Sequence, residues 1–245
     1  MKRYKFILEY DGSRFFGWQR QQIEPTVQQV LEDQLAFFCK HKVTIWGAGR
    51  TDTGVHATGQ VAHADLDYPH SPFRLQLSLN HFLAPKGLGI ISCTLADQHF
   101  HARYSATYRS YEYKILNRYA FPVYDSKVWH VKSPLDADMM HRAAQHLVGV
   151  HDFSSFRDSQ CQSKSPIKSI SQFDIMRDGD YVIAKLQAKS FLHHQVRIMM
   201  GTLKNVGTAD LTLDELIQIR DAKDRTKAGV TAPPYGLTLT NVGYK

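Results

Sequence analysis

The chain has 245 residues, 43% of them hydrophobic, which is enough to close a full core without a metal or disulfide staple. Thirty Lys and Arg against 23 Asp and Glu leave a net charge of +7 and a pI near 9.2, a moderate bias toward a polyanionic partner, to which 13 histidines add as pH falls. Cys39, Cys93 and Cys161 are too few and too widely spaced for a disulfide framework or a zinc module, and no apolar run approaches the ~20 residues that cross a bilayer. Residues 1–10 contain no apolar run of signal-peptide length. Free thiols, no metal, no membrane and a cytoplasmic location are expected.

Residues 4–10 alternate, with Tyr4, Phe6, Leu8 and Tyr10 on one face and Lys5, Ile7 and Glu9 on the other, a strand that ends at the turn pair Asp11-Gly12. Thr26 with Gln29 three residues on reads as a capping box, and Val27, Val30, Leu31, Leu35 and Phe38 follow at helical spacing. Residues 43–46 and 60–64 read as strands that bracket a glycine-rich loop. Residues 69–85, with Ser71-Pro72 as a start signal, predict a short helix, and 89–95 an apolar strand.

In the second half, residues 110–116 form a period-two strand with Tyr111, Tyr113 and Ile115 on one face. Ser133-Pro134 opens a helix with Leu135, Met139, Ala143 and Leu147 as its stripe. The Ser, Gln, Arg and Lys of residues 153–170 predict a mobile loop whose Arg157, Lys164 and Lys168 can meet phosphates. A strand at 181–188, a helix at 192–206 closed by Gly207, and a helix at 212–222 with Glu215 completing its capping box finish the chain. Without strict β-α alternation, the fold expected is α+β on a largely antiparallel sheet, in two halves, residues 1–104 and 105–245.

The densest chemistry lies in Gly47-Ala48-Gly49-Arg50-Thr51-Asp52-Thr53-Gly54-Val55-His56-Ala57. Arg50 favours the ionised form of Asp52, the Thr51 and Thr53 hydroxyls can donate to its oxygens, and the glycines permit close approach of another molecule. A carboxylate so held can serve as nucleophile or base. The same composition also makes a surface turn capped by its own side chain. A phosphate loop would need Gly-Lys-Ser/Thr at its end, which is absent, and with a single Asp-Thr-Gly an aspartic protease would have to be a dimer.

Arg197 lies in the apolar helix that follows Phe191-Leu192-His193-His194-Gln195-Val196, where it either joins a solvated basic face or turns inward to a carboxylate. His193 and His194, adjacent on a helix, would point apart, and no ligand spacing for a metal accompanies them. Tyr111 is either a packed sheet aromatic or a ring that stacks on a nucleobase. Leu237, in Pro234-Tyr235-Gly236-Leu237-Thr238, is either core or the floor of an apolar pocket.

The Asp52 loop, together with Phe100-His101-Ala102-Arg103, Tyr104-Ser105-Ala106-Thr107, Asp152-Phe153-Ser154-Ser155-Phe156 and Phe191 to Arg197, resembles the tRNA pseudouridine synthase A family almost end to end. The resemblance implies two α/β halves forming a continuous, largely antiparallel sheet flanked by helices. It implies a homodimer acting without cofactor on uridines 38, 39 and 40 of the tRNA anticodon arm. By the same resemblance Asp52 is the catalytic aspartate and Arg50 its neighbour, Arg197 is the arginine paired with the carboxylate, Tyr111 packs against the uracil and Leu237 lies beneath it. A non-catalytic RNA-binding or remodelling protein is the other reading of the basic charge and aromatic content.

Overall fold

The computed structural model describes residues 1–22, 25–67 and 71–245. In chain order its elements are β1 (Lys2–Tyr10), α1 (Val27–Cys39), β2 (Trp46–Gly47), β3 (His56–Leu66), α2 (Pro72–Leu83), β4 (Leu88–Leu95) and β5 (Ala106–Asn117). Then come β6 (Trp129–Val131), α3 (Ala137–Gln145), β7 (Gly149–Asp152), β8 (Ile167–Asp178), β9 (Tyr181–Ala188), α4 (Gln195–Gly207), α5 (Leu213–Ala222) and β10 (Leu237–Tyr244). The α+β class expected from the unordered alternation is what forms, and most strand pairs are antiparallel. The chain divides into two compact units, residues 1–109 with 238–245, and residues 110–237.

In the first unit the strands run in the order β4, β1, β3, β10, with β2 also on β3. β1 pairs antiparallel with β3 and with β4, whereas β10 pairs parallel with β3, Thr238 opposite His56. The aromatic face predicted for β1 is the core, since Tyr4, Phe6, Leu8 and Tyr10 are all buried. Thr26 caps α1, its Oγ1 accepting from the Gln29 N–H, and Leu31 and Leu35 point into the same core. Ser71 caps α2 in the same way; Pro69 and His70 of the predicted helix lie outside the described residues.

The strand expected at 60–64 begins four residues earlier and is covered on both faces, so Gln60 and His63 are buried inside it. Polar residues in a buried strand need partners. Gln60 and His63 find theirs in the Gly49 carbonyl and the Ala102 N–H. At the other edge, β4 slips by one residue against β1, which makes Ile91 extra. Side-chain amides of α2 satisfy the peptide groups there: Asn80 accepts from the Ile90 N–H at 2.6 Å and donates to its carbonyl at 2.9 Å, and Gln76 donates to the Ile91 carbonyl. An exposed edge is thereby closed to further pairing.

In the second unit the order is β5, β9, β8, β7, with β6 parallel to β5. Two sequence expectations are corrected here. The segment read as a loop over 153–170 contains a one-turn helix (Ser154–Phe156), with Phe153 before it and Phe156 at its end both buried, and the start of β8, leaving only residues 157–166 irregular. Helix α3 starts at Asp136, whose carboxylate accepts from the Met139 N–H, and it buries Met140 and Ala144 rather than Met139. The predicted capping box of α5 is present on both sides, Thr212 to Glu215 and back. Among helices of this unit α4 is the central one, with Ile198, Met199, Met200 and Leu203 fully buried.

His63 is stacked on Trp46 with ring centroids 5.1 Å apart, and its Nδ1 accepts from the Ala102 N–H at 3.2 Å. Burial first, then the charges of His101 and Arg3, push its pKa down to about 4. Below pH 6.5 the unfolded chain takes up a proton that the folded imidazole refuses, so stability is lost as pH falls from 6.5 toward 4, by up to about 3 kcal/mol. NMR titration of His63 is expected to show a midpoint near 4, with the urea midpoint falling over that interval less steeply in His63→Gln; a midpoint near 6.5 would refute this account.

Candidate active site

Asp52 sits in the loop between β2 and β3, strands that themselves pair, Trp46 opposite His63. Four main-chain carbonyls around it are each held by a different group of the first unit. The Ala48 carbonyl accepts from Arg109 Nη2 at 2.7 Å, the Gly49 carbonyl from Gln60 Nε2 at 2.8 Å, the Thr51 carbonyl from the Trp18 N–H at 3.0 Å, and the Asp52 carbonyl from the Val55 N–H at 3.1 Å. Arg109 and Gln60 are buried, so these bonds form away from competing water. Asp52 itself is half-buried and Arg50 exposed.

Thr51 turns its hydroxyl to Tyr10, 2.8 Å away at the end of β1, rather than serving Asp52 as its sequence position suggests. Burial pushes the Tyr10 phenol up to about 12, so it remains a neutral hydrogen-bonding group. The segment after β1 forms the second wall of the loop. Gly12 lies so close that a Cβ would stand 2.1 Å from the Val55 carbonyl oxygen, and Gly17 adopts φ +82 where the Thr51 carbonyl approaches. The Trp18 ring packs on Gly47. Tyr10, Gly12, Trp18, Gln60 and Arg109 were not singled out from the sequence, because all but Gln60 act on a loop more than 25 residues distant and Gln60 reads as an ordinary strand residue.

Arg197, Tyr111 and Leu237 belong to the second unit. Arg197 is half-buried rather than part of a solvated face: its Nε donates to the Ala232 carbonyl at 2.8 Å, and the Ala232 N–H donates to the Arg197 carbonyl at 3.0 Å. One turn further on, Gly201 admits the Val230 carbonyl where a Cβ would be 1.8 Å from its oxygen. Residues 229–237 are thus strapped to α4. The strap is held at its middle by Tyr113, which donates to the Pro233 carbonyl at 2.8 Å, and its last residue, Leu237, is 5% exposed. Burial raises the Tyr113 phenol well above its ordinary range, with Arg197 opposing. Tyr111 is half-buried and meets Phe191 edge to face at 5.3 Å.

His193 and His194 do not point apart. His194 lies just before α4 with φ +59, which tilts the two rings together at 3.9 Å, and both face Asp158, at 2.8 Å from His194 Nδ1 and 3.6 Å from His193 Nδ1. In the loop that precedes β8, Arg157 Nη2 donates to the carbonyls of Cys161 and Ser163, and Lys168 Nζ to Ser165, so two of the three cations expected to meet phosphates shape their own loop.

The site is thus a single carboxylate on a glycine loop whose main chain is held in place, in an α+β protein with a mostly antiparallel sheet. A family model described as tRNA pseudouridine synthase matches residues 7–105 and 143–245. Proteins named tRNA pseudouridine synthase A from Paramagnetospirillum magneticum and Caulobacter vibrioides are 47% and 46% identical to the chain. The alignments span all of this chain and 96% and 99% of the relatives. One from Rhodospirillum centenum is 47% identical over the full length of both. The chain belongs to the tRNA pseudouridine synthase family.

Replacing Gly12 by Ala drives a methyl group into the Val55 carbonyl and is expected to destabilise the protein by about 1–3 kcal/mol. Urea denaturation measures this; an unchanged midpoint would show that the wall of residues 11–18 yields freely.

Proposed function

We propose that this protein isomerises uridine to pseudouridine in tRNA, at positions 38, 39 and 40 of the anticodon arm, and that Asp52 carries the reaction. The observation that carries the reading is the Asp52 loop, held at four consecutive or nearly consecutive carbonyls so that one carboxylate is presented in a fixed place. Its support is the family match over both units and relatives named for this activity.

The reaction breaks the bond from N1 of uracil to C1′ of ribose, turns the base, joins C5 to C1′, and passes the C5 proton to solvent while N1 takes one up. No electrons enter or leave and no group is donated, so the balance requires no cofactor. Asp52 acts as nucleophile or as proton-abstracting base on the ribose or uracil. A target base in a helical stem must first be flipped out, at a cost of a few kcal/mol. Tyr111 returns part of that cost by stacking, worth about 1–3 kcal/mol. Arg197 is the charge that keeps the carboxylate ionised in a site closed to water, with Arg50 beside Asp52 in the loop and Leu237 beneath the base. The net charge of +7 suits the phosphate backbone, and the protein works as a cytoplasmic homodimer.

Among the described residues no helix is long and apolar enough to cross a membrane. Asp52→Ala is expected to abolish tritium release from tRNA labelled at C5 of uridine while leaving tRNA affinity within about threefold; substantial residual release would remove Asp52 from the reaction. Tyr111→Phe keeps the ring and is expected to retain far more activity than Tyr111→Ala. Equal losses would assign the work to the hydroxyl instead.

A further inference from the structure

The strap of residues 229–237 carries two groups of the proposed site, the Ala232 carbonyl on which Arg197 is anchored and the side chain of Leu237. Its first part is tied to α4. The Gly229 N–H donates to Thr202 Oγ1 at 3.0 Å, and Ala232 exchanges bonds with Arg197 through both its N–H and its carbonyl. Next come Pro233 and Pro234, which have no N–H to donate, so at these two residues the chain is held through its carbonyls or by packing.

Tyr113 supplies both. It stands in β5, fully buried, with its ring edge to face on Trp129 of β6 at 6.2 Å. Its hydroxyl donates to the Pro233 carbonyl at 2.8 Å, and its ring occupies the space that Gly236 leaves open, where a Cβ would lie 2.9 Å from Cζ. The two contacts bracket the single turn Pro234–Gly236, and Leu237 follows at once. Arg197 stands near enough that its charge opposes the upward push of burial on the phenol. A phenylalanine would fill the same volume with no polar group to bury, so the hydroxyl is explained by the carbonyl it holds. Tyr111 lies two residues earlier on the same face of β5, about 6–7 Å along the strand. One strand therefore sets the ring offered to the base and the strap that anchors Arg197.

We propose that Tyr113 is a positioning residue of the isomerisation, which through the Pro233 carbonyl fixes the strap and through the neighbouring Ala232 carbonyl fixes the direction of the Arg197 guanidinium. The proposal rests on the reading that Arg197 serves the reaction. Being fully buried, Tyr113 touches no substrate atom itself. Without its hydroxyl the Pro233 carbonyl loses this partner, the adjoining Ala232–Pro233 peptide is free to tilt, and Arg197 Nε follows the Ala232 carbonyl. Displacement of a catalytic group by about 1 Å costs up to about 100-fold in rate.

Tritium release from tRNA labelled at C5 of uridine, followed with the full-length protein, tests this. Tyr113→Phe is expected to lower kcat about tenfold or more while KM stays within about twofold. Gly236→Ala, which crowds the ring from the strap side, is expected to lower kcat in the same way. In Arg197→Lys, which lacks the anchored Nε, adding Tyr113→Phe is expected to cost less than about threefold further. The Arg197 Nε–H signal in heteronuclear NMR spectra is expected to move in Tyr113→Phe. Equal kcat in Tyr113→Phe and the parent would overturn the proposal. So would an unmoved Nε–H signal, or a full additive loss in the Arg197→Lys background, the result that a tyrosine serving the fold alone would give. A parent protein that releases no tritium would overturn the isomerase reading instead, and the Arg197 signal would still decide whether Tyr113 sets the guanidinium.

Discussion

Three of the eight residues from Gly47 to Gly54 are glycine, and glycine gives up more conformational freedom on ordering than any other residue. Holding each such residue still costs about 1–2 kcal/mol, so a loop of this composition does not present a carboxylate in one place unless something outside the loop holds it. What holds it is main-chain hydrogen bonding from buried side chains. Arg109 and Gln60 take the Ala48 and Gly49 carbonyls, the Trp18 amide takes that of Thr51, and Tyr10 takes the Thr51 hydroxyl. The glycines are then explained by what packs against them, the Trp18 ring on Gly47 above all. The loop is not permissive for its own motion; it is permissive so that its neighbours can come close.

Arg109 has the most demanding position in this scheme, since a guanidinium 8% exposed must satisfy its donors within the protein. Its planar fork can serve two carbonyls through one nitrogen, Ala48 and Arg103, each at 2.7 Å. A lysine, with a point charge on a flexible stem, would not keep both contacts in one plane. The same logic governs Arg197, whose Nε is fixed on the Ala232 carbonyl. Once Nε is anchored the guanidinium plane is set, and the direction of its terminal nitrogens follows from the backbone of residues 229–237.

Elements whose signals are local were legible in the sequence. The alternation of β1, the extent of β9 and the Thr212–Glu215 box of α5 all depend on residues a few positions apart. β3 was misjudged at its start because burial on both faces removes alternation, and because Gly59, where the Thr240 carbonyl approaches within 2.1 Å of a Cβ position, looks like a strand breaker out of context. β8 was missed because a slip between Ile170 and Gln172 breaks the period of two just where it would be read. For the site, Asp52 stood out through the composition of its own loop and its company of family motifs. Its supports did not, since Tyr10 and Thr51 are 41 residues apart and Arg109 and Ala48 are 61. Pair interactions at that separation leave no periodicity.

Both His63 and His101 are kept neutral by their surroundings, and each uses Nδ1 as an acceptor from a backbone N–H of the same turn. Protonating either ring would replace an acceptor by a donor facing another donor. Their burial, which depresses both pKa values, therefore protects the geometry of residues 101–105 at neutral pH. It also follows that the aromatic series from Trp46 to Tyr104 is a single packed object rather than four separate rings, since His63 and His101 are its inner members. Disturbing His63 in β3 would reach Tyr104 through ring contacts and through the turn's own hydrogen bonds, whereas removing Tyr104, at the exposed end, leaves the inner members in place. The fold thus sets an order of dependence: strand first, turn second, exposed ring last.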